Sequence, residues 1–548
     1  MALDELNNHL KKLIKTYCHV SDAQLILNNL KVNISFDANL GDYNSNILFL
    51  IKKYSPQSEE LFLKELYKLV PDYFEKIEIV NNFVNFFISK KTLIRNLTSL
   101  LKSPTKFFQN NRGRKQKIMV EFVSANPTGP LTLGNGRSAS FGDALANILK
   151  LNNYRVTKEY YVNDRGRQIE ILGATLKSLI YNLPFKEEYY QGEYLKDLAK
   201  ILKKNIKIEM PDEKIGQIAA KYILENQIKK TLKNFNVRFD NFFFESDLYK
   251  DKKLVEKVLS LYKKQNLLKS QENAIWLELT KVGEIKDEVL IKSDGSYSYF
   301  LSDILYHYNK FYQRKFKTSI NILGADHLDH ARRLKKALEL IGIPSKRIKI
   351  IIYQLVNIKQ GEEIIRMSKR KGVFVTLDDI LSFVDKSVLK FFFLRLTVDK
   401  PLILDLELMK KENEENPAWY LKYAYVRFYK ILTKAKKLGY YRKNIDPMKS
   451  SYILLENENF RLIVRELTLI KDLLKLISSN FEISLFINKL INLSKLLHSF
   501  YEKENILKSS DPSRKIKFVE MIVKTLDLFF DIIGIEKIKE MYKDTRRT

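Results

Sequence analysis

Four glycines, Gly129, Gly134, Gly136 and Gly142, crowd into one short stretch of a chain that has only 18 in 548 residues. ANPTGPLTLGNGRSAS, from Ala125 to Ser140, holds the first three of them with Pro127 and Pro130. Without a Cβ, backbone N–H groups lie open to phosphate oxygens, and a helix N-terminus adds a favourable dipole. Gly134 and Gly136 suit that role, and Thr132 and Asn135 offer neutral donors. A lone glycine cluster is as readily an ordinary turn. A second element sits at RMSKRKG, Arg366 to Gly372, with four cations and a serine ahead of a capped helical run, VFVTLDDILSFV. Such a loop can close over a triphosphate and stabilise charge on departing pyrophosphate. Standing alone it would read as a solvated basic turn.

The elements needed to position these residues are legible around them. KIMVEFVS is a short β-branched run of the kind that forms a buried parallel strand, and it leads straight into the glycine stretch. A helical pattern, SASFGDALANILKL, follows. YRVTKEYYV is a second strand, with another helix from about Arg165. SINIL and IKIIIYQLV are further buried strands with helical pattern nearby. Strand–helix alternation predicts a multidomain α/β chain built on a doubly wound parallel sheet. Residues 115–410 form this sheet domain, interrupted at about 175–290 by a charged, helical insertion. Residues 1–105 mix helix and strand as an α+β domain closing on the alternating run IEIVNNFVNFFISK, and SPTKFFQNNRGRKQ reads as a basic linker. Residues 411–548 are amphipathic helix throughout, an all-α bundle rich in Tyr, Phe and Lys.

Composition narrows the class. A chain this long needs several cores. No apolar run approaches a membrane span, and the start MALDELNNHLKKLIKTYCHV lacks the apolar region of a signal peptide. One cysteine, Cys18, gives no internal disulfide, and no Cys/His cluster has zinc spacing. The expected setting is therefore the cytosol, with no membrane and no structural metal. A net charge of +30 suits a polyanionic partner, although a general lysine bias would produce the same number.

The first motif resembles the His-x-Gly-His element of class I aminoacyl-tRNA synthetases, and the second resembles their Lys-Met-Ser-Lys-Ser loop. VEFVSANPTGPL, YYVNDRGRQIE, SDGSYSYFLSDILYHYNKF, GADH, RMSKRKGVFVTLDDIL, KFFFLR and NPAWYLKYAYVR follow one another in the order of the arginyl-tRNA synthetase family. The resemblance covers nearly the whole chain. It implies ATP-dependent ligation of L-arginine to tRNA(Arg) through an arginyl-adenylate by a monomer, with Mg²⁺ accompanying ATP rather than held at a dedicated protein site. It places Thr132, Gly134, Asn135 and Lys369 in catalysis. Pro127, Gly129, Gly136, Asp326, His327, Met367, Ser368 and Arg370 fall to the nucleotide. Glu121, Ser124, Asn126, Asn163, Asp164, Tyr299 and Asp303 fall to arginine. Tyr299 and Asp303, at i and i+4, would share one helix face as guanidinium ligands. An N-terminal tRNA-elbow domain would use Phe83 and Asn85, although Phe83 could equally be core. The helical anticodon-binding tail would use Tyr423 and Arg427, and exposed aromatics there suit unstacked bases. The resemblance also implies that adenylation needs tRNA.

The chain departs from this family at informative places. Thr132 and Asn135 stand where two histidines are usual, so neither position can carry an imidazolium charge. Arg366 replaces the first lysine of the second motif and Arg370 its last serine, while Lys369 is retained. Tyr425 stands where histidine is common. Loss of the histidines is what a non-catalytic tRNA-binding relative would show, and a class I synthetase of another specificity is the nearer rival.

Overall fold

A computed structural model describes residues 3–69, 73–325, 328–361, 363–365, 375–442 and 444–540. The strand–helix alternation forms a five-stranded, all-parallel sheet: β1 (Lys117–Glu121), β2 (Arg155–Val162), β3 (Asn241–Phe244), β4 (Thr318–Gly324) and β5 (Ile348–Tyr353). Its spatial order is β5-β4-β1-β2-β3. Chain direction across the sheet reverses between β1 and β4. The crevice beyond the C-terminal strand ends at that switch point is where doubly wound sheets bind ligands.

Two compact units contain the described chain. One holds residues 111–419 with 530–536, and the other combines the segment up to residue 110 with 420–529. In the first unit, helix α1 (Leu133–Leu151) leaves the glycine stretch and α2 (Arg167–Tyr181) follows β2. The segment expected to be purely helical insertion contributes more than helix. It supplies β3, an edge strand of the parallel sheet, and a three-stranded antiparallel sheet of Leu268–Gln271, Ala274–Leu277 and Glu288–Ile291. Helices α3 (Tyr299–Tyr308) and α4 (Leu328–Leu340) flank β4 in sequence. A second small sheet joins Val356–Gln360 to Glu363–Ile365 and Leu402–Asp405.

In the second unit the N-terminal segment forms a four-stranded antiparallel sheet with helices, and the tail forms long helices including Pro417–Lys437, Glu458–Asn480 and Ile483–Lys503. The alternating run near residue 80 is a hairpin, Phe74–Val80 with Phe83–Ile88. Asn81 and Asn82 both take positive φ (50° and 63°), as a two-residue primed turn requires. The supposed linker also differs. Ser103 caps a short helix, Pro104–Phe108, that buries Phe107 and Phe108.

Candidate active site

The backbone tightens where β1 ends. Val123 and Ser124 hold positive φ (66° and 38°), a strain of the kind that concentrates at functional sites. Ser138 of α1 accepts the Val123 N–H at 3.0 Å. The Ser124 hydroxyl donates to Glu121 Oε1 at 3.4 Å and accepts the Tyr161 N–H at 3.1 Å. Asn126 donates to Gln168 at the start of α2.

Thr132 is the N-cap of α1, in a reciprocal box with Asn135. Asn135 Oδ1 accepts from the Thr132 N–H and from its hydroxyl, both at 2.9 Å, and Asn135 N–H donates to Thr132 Oγ1 at 3.4 Å. The only hydroxyl hydrogen of Thr132 is thus engaged within the cap. Asn135 keeps its amide hydrogens, which have no partner among the described residues. Gly136 is tightly enclosed. Its N–H donates to Thr132 O at 3.0 Å, and a Cβ there would meet Leu377 at 2.8 Å and Phe393 at 3.1 Å. It is bare for packing. Gly129 makes room for Tyr194, whose hydroxyl donates to Thr128 O at 2.8 Å. Gly134 alone meets nothing closer than 3.6 Å, so the first turn of α1 is open there. Pro127, beside it in the bend, is buried.

Helix α1 is fixed by Arg137, which is fully buried and donates to the carbonyls of Gln354, Thr397 and Lys400 at 2.8–3.1 Å. Thr376, which caps the helix after the second motif, bridges to Thr132, and Leu377 N–H donates to Leu131 O at 2.8 Å. Lys369 and its neighbours Arg366, Met367, Ser368 and Arg370 lie outside the described residues, as do Asp326 and His327.

On the arginine side, burial of charge dominates. Glu121 is 6 % exposed, and its Oε2 accepts from the fully buried Lys310 at 2.6 Å. Its charge is therefore already answered. Lys310 also lies over the Tyr306 ring at 3.8 Å, and Tyr306 donates to Glu159 at 2.6 Å, with Arg314 paired to the same carboxylate. Tyr299 and Asp303 do share α3, capped by Ser298. The Tyr299 hydroxyl bonds Asn163 and lies where a Cβ on Gly166 would come within 3.3 Å. Asp303 Oδ2 pairs with His330 Nε2 at 2.6 Å. His307, one turn on, is neutral: burial drives it to about 3, and it bonds Asp303 O and Asn321.

Sequence reasoning missed Glu245, which follows β3 directly and is 3 % exposed. Burial raises its carboxyl, the Tyr249 and Ser302 hydroxyls oppose that, and the charges of Asp303 and Asp164 push it higher. With its amide oriented by its partners, Asn163 donates to Glu245 Oε2 at 3.0 Å, and Asp164 accepts from Ser246 N–H at 2.9 Å. Tyr161, on β2, has Glu245, Asp303 and Glu121 as charged neighbours. Tyr299, Asp303, Asn163, Asp164 and Glu245 thus form one acidic cluster, and burial there favours a cationic guest. The missed signal was FFFE, an apolar run ending in glutamate like MVE before it.

Three family models match successive parts of the chain. Residues 96–391 match the model of the class I (R) tRNA synthetase catalytic domain, residues 4–88 the arginyl-tRNA synthetase N-terminal domain, and residues 421–541 the DALR anticodon-binding domain. The chain belongs to the arginyl-tRNA synthetases. Relatives of this family include the arginine–tRNA ligase of Thermotoga petrophila, 32 % identical over 92 % of this chain and 94 % of its own, and that of Aquifex aeolicus, 31 % identical over 97 % and 99 %. The arginyl-tRNA synthetase of Thermus thermophilus has the same fold, with a TM-score of 0.76 at 19 % identity over 99 % of this chain and all of its own. As an arginyl-tRNA synthetase the chain is a class I arginine–tRNA ligase that uses ATP.

The other unit carries the expected tRNA residues. Phe83 is 45 % exposed and so is not core, while Asn85 is buried at 3 % exposure, which leaves Phe83 as the open face of that pair. Arg427 lies over both Tyr423 (4.2 Å) and Tyr501 (4.6 Å) and bonds His498 at 3.1 Å. Tyr423, Arg427 and Tyr501, with Lys430 and Lys434, line a cavity of about 380 Å³. Tyr425 faces inward, donating to Asp527 at 2.9 Å. No described helix is long and apolar enough to cross a membrane.

Proposed function

We propose that this chain activates L-arginine with ATP and transfers it to the 3′-terminal ribose of tRNA(Arg), using the acidic cluster for the side chain and the α1 bend for the nucleotide. The observation carrying this reading is the run of three family matches along the chain, with the cluster following the C-terminal ends of β2 and β3 in the middle one. Asp303 pairs with the guanidinium and Glu245 adds a second carboxylate, with the Tyr299 hydroxyl between. A planar five-donor cation fits several acceptors together, whereas the single ammonium of lysine leaves them poorly matched. Ser124 and Asn126 hold the α-amino and carboxylate groups, and Asn163 and Asp164 support the side-chain end beside Glu245. Glu121 holds Lys310 and the end of β1 in place.

The arginine carboxylate attacks the α-phosphorus, and the bond to pyrophosphate breaks. Positioning and charge stabilisation suffice, so no side chain needs to act as a nucleophile. The Asn135 amide, the open first turn at Gly134 and Lys369 face the charge developing on phosphate. A ribose hydroxyl then attacks the arginyl carbonyl and AMP leaves; class I resemblance points to the 2′-OH. Magnesium enters with ATP. Among the described residues no group of three or more acidic, His or Cys side chains could hold a metal. Phe83 meets the tRNA elbow, and Tyr423, Arg427 and Tyr501 meet the anticodon loop. We assign the working form as a cytosolic monomer, in keeping with one free, buried cysteine; light scattering checks the assembly.

Charging total tRNA with each amino acid, with and without ATP, tests the whole reading. Arginine alone should be attached, and only with ATP. Loss of both motif histidines also fits a non-catalytic tRNA binder, and absence of charging with any amino acid would establish that reading instead.

A further inference from the structure

Asp303 does not reach the crevice unaccompanied. Its Oδ2 is held by His330 Nε2 at 2.6 Å, its main-chain oxygen is bonded by His307 Nδ1 at 2.8 Å, and Oδ1 has no hydrogen bond among the described residues. His330 projects from α4, with the Phe300 ring edge-on at 5.6 Å. A carboxylate oxygen has two lone pairs, so an N–H on one side of Oδ2 sets the carboxylate plane while Oδ1 and the other Oδ2 lone pair stay open to a guanidinium fork.

We propose that His330 is a positioning residue for arginine, orienting Asp303 for the guanidinium and giving up its own proton when arginine arrives. This rests on the assignment of Asp303 to the guanidinium. The titratable and charged groups facing His330 are Asp303, with neutral His307 and charged Lys310 beyond it, Glu288 from the Glu288–Ile291 strand, and Arg333 of α4 paired to Glu288. Burial would lower the imidazole, but the hydrogen bond and charge of Asp303, with help from Glu288 and against Arg333, raise it above its ordinary value. The Asp303 pair thus favours the protonated imidazole in the free enzyme. A guanidinium on Asp303 answers the charge that held that proton and sets a second cation beside it. The imidazole then falls in pKa and releases its proton to solvent, staying as a neutral Nε2–H donor. Arginine and proton compete for one carboxylate, so arginine affinity rises as pH rises through the His330 titration.

Calorimetric titration of the full chain with L-arginine, between about pH 6 and 8 in buffers of different ionisation enthalpy, reads the proton directly. The wild type should release a fraction of a proton per site, declining toward the alkaline end. His330→Gln keeps an N–H donor that cannot titrate; it should bind arginine within about threefold of wild type, with no proton release and a flat pH profile. His330→Ala should weaken arginine binding about tenfold and leave the KM for ATP unchanged. Arginine binding without proton release in the wild type, or release that persists in His330→Gln, overturns the proposal alone. If the wild type binds no arginine, the assignment of Asp303 fails and this proposal with it.

Discussion

Asn135 illustrates how one amide can serve both helix and ligand. Its Oδ1 closes the cap with Thr132 while its hydrogens face the open first turn of α1. Two substitutions separate these roles. Asn135→Asp keeps the capping oxygen and suits the helix dipole, but removes the donor and sets a negative charge near phosphate. Asn135→Ala removes both. Each should lower arginine-dependent ATP–pyrophosphate exchange, measured with tRNA present, by at least about tenfold, with the KM for ATP changed little. Only the alanine variant should also lose about 1 kcal/mol of stability. Unchanged exchange in Asn135→Ala would remove it from the chemistry. The donor types in TLGN were readable from the sequence. The hidden part was that the Thr132 hydrogen is taken by Asn135, because that depends on two rotamers. The packing at Gly136 was hidden for a similar reason: the side chains that exclude a Cβ there, Leu377 and Phe393, are far along the chain and no local pattern announces them.

At the scale of elements, the turn after α3 matters most. Residues Asn309–Gln313 widen into a π-helical turn, a feature often found near functional sites. It aims Lys310 at the end of β1 and leads to Arg314, which reaches β2 at Glu159. The carboxylates of Glu121 and Glu159, register partners on two adjacent strands, are thereby answered by a single turn. Lys310→Met should cost about 3–5 kcal/mol, because Glu121 is left charged and buried without a partner. Adding Glu121→Gln should restore most of that stability, seen as recovery of the urea midpoint, without restoring arginine charging. A Lys310→Met variant as stable as wild type would mean that Glu121 is reached by water. Strands β1, β2, β4 and β5 were legible because each is a β-branched or aromatic run beside a helical pattern. The edge strand β3 was not. Four residues, Asn-Phe-Phe-Phe, lie amid charged helix, where a short apolar run has no period to distinguish strand from buried helix. Missing that strand meant missing Glu245 at its end.

At the scale of the whole molecule, the N-terminal sheet and the helical tail form one unit although more than 300 residues separate them in sequence. A buried polar seam joins them. Asp42, 2 % exposed, pairs with Arg465 and accepts the Ile88 N–H at 2.7 Å. Tyr43, with no exposure, donates to Asp472 at 2.7 Å, and Lys489 bridges Ser35 O and Glu466. Buried charges gain little over apolar packing when intact, but they are costly when one partner is removed. The seam therefore favours one specific docking of sheet on helices. No sequence pattern pairs residue 42 with residue 465, so in sequence the two segments read as separate tRNA-binding domains. If the seam is as drawn, Asp42→Ala on the sheet side and Arg465→Ala on the helix side should lower the same thermal transition, each by about 3–5 kcal/mol. The double variant should lose less than the sum by about 1–3 kcal/mol, since the second substitution removes a charge already orphaned by the first. Fluorescence and circular dichroism melts of the four proteins give the cycle. Strictly additive losses, or an N-terminal transition that moves while the helical one does not, would show that sheet and bundle fold as independent bodies.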